Sequence, residues 1–340
     1  MDLQSKVDEL KAAWRALGGS QNGDGWQTIS IASQGQCKLL AGRHFPGNEE
    51  ALLLGFTLVR VPPPDQLPQG KGFLVTKADI IQGESNRVWI ALLRQSAGSL
   101  ELFSLMTEDI VKTLETLSDC DDERIFNLIL ARIRAWQDFM QKDGESILSH
   151  EKEIGLFGEL EVLRELILGG VSPKNAITSW QGPLNGVQDF EFGSGAIEVK
   201  TTISTSSFLV NIGSLDQLDD SKKCPLFICG IRLALSISGI TICDLVNELR
   251  ELLSGDSYVK WLFDGRLVQA GYFDSNSDSY TRRFLNEEKK VFQVTSVFPH
   301  LTRMSVPIEI KSACYEIDLN MLSIEDFGFK AALKQLGVIE

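Results

Sequence analysis

The sequence predicts a mixed α/β (α+β) protein that begins with a β-rich domain, and three patterns carry that prediction. Between residues 27 and 105, short apolar runs are punctuated by turn signals such as Pro62-Pro-Pro64 and Pro68-Gln-Gly70. From 107 to 168 the apolar spacing lengthens to the 3.6-residue period of helices. Beyond it, strand-like and helix-like runs alternate around a compact hairpin, Val187–Lys200. A division follows from these shifts: 1–106 as a β-rich accessory domain, 107–240 as a helical linker plus the core that carries the hairpin, and 241–340 as an α/β extension packed on that core.

In chain order, Leu3, Val7, Leu10, Trp14 and Leu17 mark a helix that stops at Gly18-Gly19, and Gln21-Asn-Gly-Asp-Gly25 reads as a turn. Strands are expected at 27–31, 37–41, 51–61, 72–76, 88–93 and 100–105. Helices follow at 108–117, 123–139 and 149–168. The last has Ser149 as its cap, with acids in the first turn. Its apolar face is Ile154, Phe157, Leu160, Leu163 and Leu166. Gly155 and Gly158 beside it would let a neighbouring segment come close, near Glu159. After a loop through Gly169-Gly-Val-Ser-Pro173 come the hairpin, a third strand at 208–212 and a helix start capped by Ser214. Leu226–Ser236 is apolar nearly throughout, the mark of a central buried strand. Helices at 245–253 and 258–270 precede strands near 281–285, 290–294 and 313–319, and a closing helix at 325–336.

Bulk properties narrow the chemistry. No apolar run reaches the ~18–20 residues that span a bilayer. The first residues lack a secretory core, so a cytoplasmic protein with reduced thiols is expected. Six cysteines (37, 120, 224, 229, 243, 314) form no CxxC pair, and three histidines are scattered, which argues against zinc. The net charge of −13 opposes unaided capture of nucleic acid. Either cations cluster locally or a partner delivers the substrate.

The hairpin carries the chemistry. A two-residue Gly193-Ser194 turn sets Phe192 opposite Gly195, and hence Glu191 with Ala196, Asp189 with Glu198, and Val187 with Lys200. Because side chains alternate along a strand, Asp189, Glu198 and Lys200 then share one face, while Phe190, Phe192, Ile197 and Val199 form the core face. Opposed carboxylates repel unless a cation lies between them. Lys200 supplies one positive charge; Mg²⁺ (or Mn²⁺), which binds through one or two carboxylates plus water and phosphate oxygens, would supply more. Lys200 could orient or deprotonate a water, and Glu159 would be a third carboxylate. Acid-x-Lys triplets also arise by chance, as at Glu9-Leu-Lys11, Asp220-Ser-Lys222, Glu287-Glu-Lys289, Glu288-Lys-Lys290 and Glu309-Ile-Lys311. Of these, only the Glu198 triplet follows an aspartate strand through a tight turn.

Asp189 and Glu198-Val-Lys200, behind Gly155-Leu-Phe-Gly-Glu-Leu160 on a helix, resemble the core of PD-(D/E)XK nucleases. The expected order is an α-βββ-α-β mixed sheet. Gln188 stands where many members have the proline. The chain is more similar still to a PD-(D/E)XK family encoded in bacterial restriction-modification and phage-defence loci. That likeness runs through Ile154–Leu160, Glu198-Val-Lys-Thr-Thr202, Ile212-Gly-Ser-Leu-Asp-Gln-Leu218 and Phe298-Pro-His-Leu301. It implies a metal-dependent endonuclease acting on DNA, in which Asp189, Glu198 and Glu159 are metal ligands, Lys200 is the catalytic lysine and Gln217 is auxiliary. It also implies companion subunits such as a methyltransferase or ATPase, with a homodimer as a further possibility. The alternative is a nuclease-like DNA-binding or scaffolding subunit without catalysis.

Lesser candidates are Glu161 as a competitor of Glu159, and Glu191 near the turn. The pairs Lys222-Lys223, Arg282-Arg283 and Lys289-Lys290 are possible phosphate contacts that read more simply as solvated strand ends. Trp26, Trp89, Trp136, Trp180 and Trp261 read as core or interface residues.

Overall fold

The computed structural model describes residues 3–19, 24–31, 37–70, 72–80, 87–117, 121–141 and 147–339. Most of the expected turn at 21–25, and Cys120, lie outside them. The chain forms two compact units, residues 1–144 and 145–340.

The first unit is a helix α1 (Leu3–Leu17), an antiparallel five-stranded sheet and two further helices. The strands are β1 (Gly25–Ile31), β2 (Lys38–Phe45), β3 (Glu49–Phe56), β4 (Phe73–Ala78) and β5 (Val88–Arg94), in the spatial order β1-β2-β3-β5-β4. The strand expected at 51–61 stops at Phe56, because the Asp122 carboxylate accepts the Thr57 and Leu58 N–H groups and ends the ladder. The strand expected at 100–105 is instead the start of helix α2 (Leu100–Thr116). Ser99 caps it by accepting Leu102 N–H, and Phe103, Met106, Ile110 and Leu114 are buried at helical spacing. Helix α3 (Asp122–Gln141) packs on α2. The division between units therefore falls after these helices rather than at 106, and no division falls at 240.

The second unit opens with α4 (His150–Leu168), capped by Ser149 through Lys152 N–H. A short helix α5 (Pro173–Ser179), which periodicity missed, starts at the Ser172-Pro173 pair. Next come β6 (Phe190–Phe192), β7 (Gly195–Thr202), β8 (Leu209–Ile212) and the long β9 (Leu226–Ile240). Helices α6 (Ile242–Leu252) and α7 (Ser257–Gln269), strands β10 (Phe284–Val294) and β11 (Tyr315–Asp318), and helix α8 (Phe329–Gln335) complete it. The fold is mixed α/β throughout.

A four-stranded sheet in the order β10-β9-β7-β6 organises this unit, with β7 and β9 parallel. Ile197, Val199, Phe227, Cys229 and Ile231 face the core shared with α4, α6 and α7. On the other face, Ala196, Leu226 and Ile228 pack against Phe208, Val210, Ile212 and Phe298. Burial on both faces explains why β9 reads as apolar in nearly every position.

Three details differ from the order expected for the core. Strand β8 does not extend the hairpin sheet; it pairs with β11 in a separate two-stranded sheet. The helix expected at Ser214 is a run of turns, in which Ser214 Oγ accepts Asp216 N–H. The strands expected at 281–285 and 290–294 are one strand, β10, with an irregularity between Asn286 and Glu288. The polar run Asn286-Glu-Glu-Lys-Lys290 hides that continuity from the alternation pattern. Among the described residues no helix is long and apolar enough to cross a membrane.

Candidate active site

The hairpin forms in the expected register near its turn: Phe192 opposes Gly195, Glu191 opposes Ala196 and Phe190 opposes Ile197. Gly193 takes φ +56°, which a primed two-residue turn requires at its first position. The ladder then ends, so Asp189 and Val187 are not strand partners of Glu198 and Lys200. Asp189 reaches the site differently. Its Oδ2 accepts the Val199 N–H at 2.7 Å, standing in for a backbone carbonyl. Its own carbonyl accepts the N–H groups of Gln181 (2.7 Å) and Gly182 (3.1 Å). The strand stops at Phe190 because these bonds occupy the groups that would continue it.

Gln188, which occupies the expected proline position, is buried. Its amide donates to the Asp216 and Gln217 carbonyls at 3.2 Å each. This ties Asp189 to the loop that carries Gln217. Gln217 Oε1 accepts from Gly213 N (2.8 Å) and from Lys200 Nζ (3.3 Å). Lys200 Nζ also lies 2.8 Å from Glu198 Oε1. Lys200 thus touches both Glu198 and Gln217.

Glu159 arrives from α4. A methyl group on Gly158 would lie 1.8 Å from Thr201 Oγ1, so the missing side chain lets the helix settle on β7. Gly155 faces open space; only one of the two glycines serves the approach. Glu159 Oε2 accepts the Trp180 indole N–H at 2.7 Å. A methyl on Gly182 would lie 2.4 Å from Glu159 Oε2 and 3.0 Å from Asp189 Oδ1, so both carboxylates border the same small space. Glu161 points elsewhere, to Arg164 at 2.8 Å.

Burial, unrelieved by enough positive charge, dominates the electrostatics. It pushes the Glu198 carboxyl up to about 8, aided by the negative charge of Asp189 and opposed by Lys200. Burial raises Asp189 to about 6, against the bond from Val199 N–H. Glu159 is held well above the ordinary range, first by burial and then by Asp189. Glu198 Oε2 is buried and finds no hydrogen-bond partner among the described residues.

Among the described residues no three His, Cys, Asp or Glu side chains already close around one point as a metal cage. The donor set nevertheless suits a hard divalent ion. The carboxylate oxygens are hard ligands, the buried Glu198 Oε2 accepts no hydrogen bond among the described residues, and Mg²⁺ takes most of its remaining shell from water and phosphate.

The other candidates resolve into ion pairs. Glu191 pairs with Lys223 at 2.6 Å and Lys222 with Asp216 at 2.8 Å. Arg282 binds Glu153 at 2.6 Å, Lys289 pairs with Glu165, and Lys290 lies 3.3 Å from Glu288. Two contributors escaped the sequence reading: Trp180 and Gly182. Their only signal was a Trp-Gln-Gly turn just ahead of the aspartate strand.

An acidic residue ahead of a hairpin, an acid-x-Lys strand and a helix carboxylate set on a mixed α/β fold define the PD-(D/E)XK class. Residues 10–320 match the family described as "Putative PD-(D/E)XK family member, (DUF4420)", and the chain belongs to it. No curated protein and no solved structure matches the chain.

Proposed function

We propose that the protein is a metal-dependent endonuclease that hydrolyses DNA phosphodiester bonds. The observation that carries this is a charge imbalance: Glu159, Asp189 and Glu198 gather near Lys200, the one cation that lowers the pKa of Glu159 and Glu198 among the described residues, and Glu198 Oε2 has no hydrogen-bond partner among them. Buried like charges of this kind are costly unless a ligand balances them. Asp189, Glu198 and Glu159 would hold a Mg²⁺ or Mn²⁺ ion, which would supply positive charge to the scissile phosphate.

The chain's own groups do the rest. Val199 N–H fixes Asp189, Gln217 and Glu198 orient the Lys200 ammonium, and Lys200 is placed to hold a water or steady charge on a phosphate oxygen. The chain's resemblance to a family encoded in bacterial restriction-modification and phage-defence loci supports a role in such a system, with companion subunits and a cytoplasmic site of action. Mg²⁺- or Mn²⁺-dependent cleavage of plasmid and phage DNA is the test, with Asp189→Ala and Lys200→Ala beside wild type. Equal cutting by all three would rule out this site.

A second reading is a nuclease-like DNA-binding or scaffolding subunit without catalysis. The net charge of −13 favours it, as does the engagement of Lys222, Lys223, Arg282 and Lys289 by carboxylates. The same cleavage assay separates the two readings.

A further inference from the structure

We propose that Trp180 is a positioning residue for the metal site. It acts through Glu159, and Gly182 is the second half of the same device. The inference rests on the metal-dependent reading above and deepens it.

Trp180 is fully buried, with its backbone N–H on Ile177 O and its carbonyl held by the Arg266 guanidinium. The residue is thus anchored before its side chain does anything. Its indole N–H, a group that donates and cannot accept, meets Glu159 Oε2 at 2.7 Å. A donor there fixes the orientation of the carboxylate, whose remaining lone pairs stay available to an ion. Two residues on, the absent side chain of Gly182 leaves room for Glu159 Oε2 and Asp189 Oδ1 together. Gly182 N–H meanwhile holds the Asp189 carbonyl. One short turn therefore sets the orientation of one carboxylate and the spacing of two.

Packing calls for the bulk of the indole but not for its N–H, which is a separate polar contact with Glu159. The structure contains a contrasting case. Trp136 also donates its indole N–H to a carboxylate, Asp109 at 2.8 Å, but that carboxylate is also clamped by the Arg132 guanidinium at 2.7 and 2.6 Å. In that cluster the charge is already balanced, and the tryptophan bond has only a structural part to play. At Glu159 no described Arg or Lys forms such an ion pair, so the bond controls a carboxylate with spare coordinating capacity.

The test uses the full-length chain. Calorimetric titration with Mg²⁺ and Mn²⁺ compares wild type, Trp180→Phe, Glu159→Gln and the double variant. In parallel, ¹⁹F spectra of 5-fluorotryptophan-labelled protein follow the Trp180 resonance, assigned by its loss in Trp180→Phe. We expect Trp180→Phe to weaken metal binding by about 10-fold or more, as loss of a group orienting a metal ligand does. The double variant should lose no more than Glu159→Gln alone, since one group acts through the other. The Trp180 resonance should shift on metal addition in wild type and stay still in Glu159→Gln. Should Trp180→Phe fail to fold, Gly182→Ala carries the test, and it should weaken metal binding while thermal unfolding stays cooperative.

Wild-type affinity in the folded variant, or additive losses in the double variant, would overturn the assignment of Trp180 while leaving the nuclease reading intact. A wild-type chain that neither binds Mg²⁺ or Mn²⁺ nor cuts DNA would overturn both.

Discussion

Each unit buries a glutamate, and the two are treated in opposite ways. In the first unit Glu50 sits between Arg43 at 2.7 Å and Arg94 at 2.6 Å. Burial works to raise its pKa, but the Arg94 hydrogen bond and the two guanidinium charges win and hold it low. In the second unit Glu198 has one ammonium, a second carboxylate nearby and an oxygen with no described partner; its carboxyl rises to about 8. The first arrangement is complete in the protein alone. The second carries more negative than positive charge, the imbalance that the divalent ion of the proposed function would offset. Burial of a charge is therefore not in itself a sign of function. The balance around it is.

The sharpest way to break this contrast is to remove the single cation of the unbalanced site. Lys200→Ala is expected to lower metal-dependent DNA cleavage by about 10²–10⁴-fold, the range for a lost proton-transfer or water-orienting group, as read in a plasmid-nicking assay. Folding should be little affected, because the three carboxylates can respond by taking up protons. A variant that unfolds instead would mean that Lys200 serves stability as Arg94 does.

The converse holds for the balanced site. Glu50→Ala leaves two guanidinium groups without their shared partner and should destabilise the first unit by about 3–5 kcal/mol in denaturant unfolding. Glu198→Gln, which removes a repelling charge, should leave stability unchanged or raised. If the two variants behaved alike, the distinction would collapse.

Acidity offers a third test because the signs are opposite. Glu198 and Asp189 have folded pKa values above their ordinary 4.5 and 3.8, so the folded protein binds more protons than the unfolded chain between those values and about 8 and 6. Their contribution to stability is full at low pH and is lost as pH rises through the folded values. Glu50 is held below its ordinary 4.5, so its contribution is present above that value and lost as pH falls. In melts run with a chelator across this range, the second unit should weaken with rising pH, and added Mg²⁺ should reverse the loss. The first should weaken only on acidification.

The smallest expected effect separates two glycines on α4. Gly158→Ala drives a methyl into Thr201 Oγ1 and should cost about 1–3 kcal/mol. Gly155→Ala meets open space in a helix interior and should add about 0.5–1 kcal/mol of stability. Their unfolding midpoints should move in opposite directions.

The hairpin, the α4 face and the identity of Asp189, Glu198, Lys200 and Glu159 as candidates were legible in the chain because each rests on local rules. A two-residue turn sets register, and a 3.6-residue period sets a helical face. Legibility failed where a side chain replaced backbone pairing. Asp122 ended β3 by accepting Thr57 and Leu58 N–H, and Asp189 ended β6 through Val199 N–H. It failed also at residues 100–105, whose apolar residues suit a strand until Ser99 is recognised as a cap.

By itself, then, the sequence determined that Glu198 and Lys200 share one face of β7, since alternation depends only on neighbours along the chain, whereas Asp189 reaches them through its bond from Val199 N–H. Tertiary structure alone decided that β8 leaves the hairpin to join β11, that Gln188 ties Asp189 to the Gln217 loop, and that Trp180 and Gly182 border Glu159. The physical reason is separation. Trp180 stands 21 residues from Glu159, and Gln188 stands 28 and 29 from its two carbonyls. No local period reports contacts over such distances, which appear only once the core has closed.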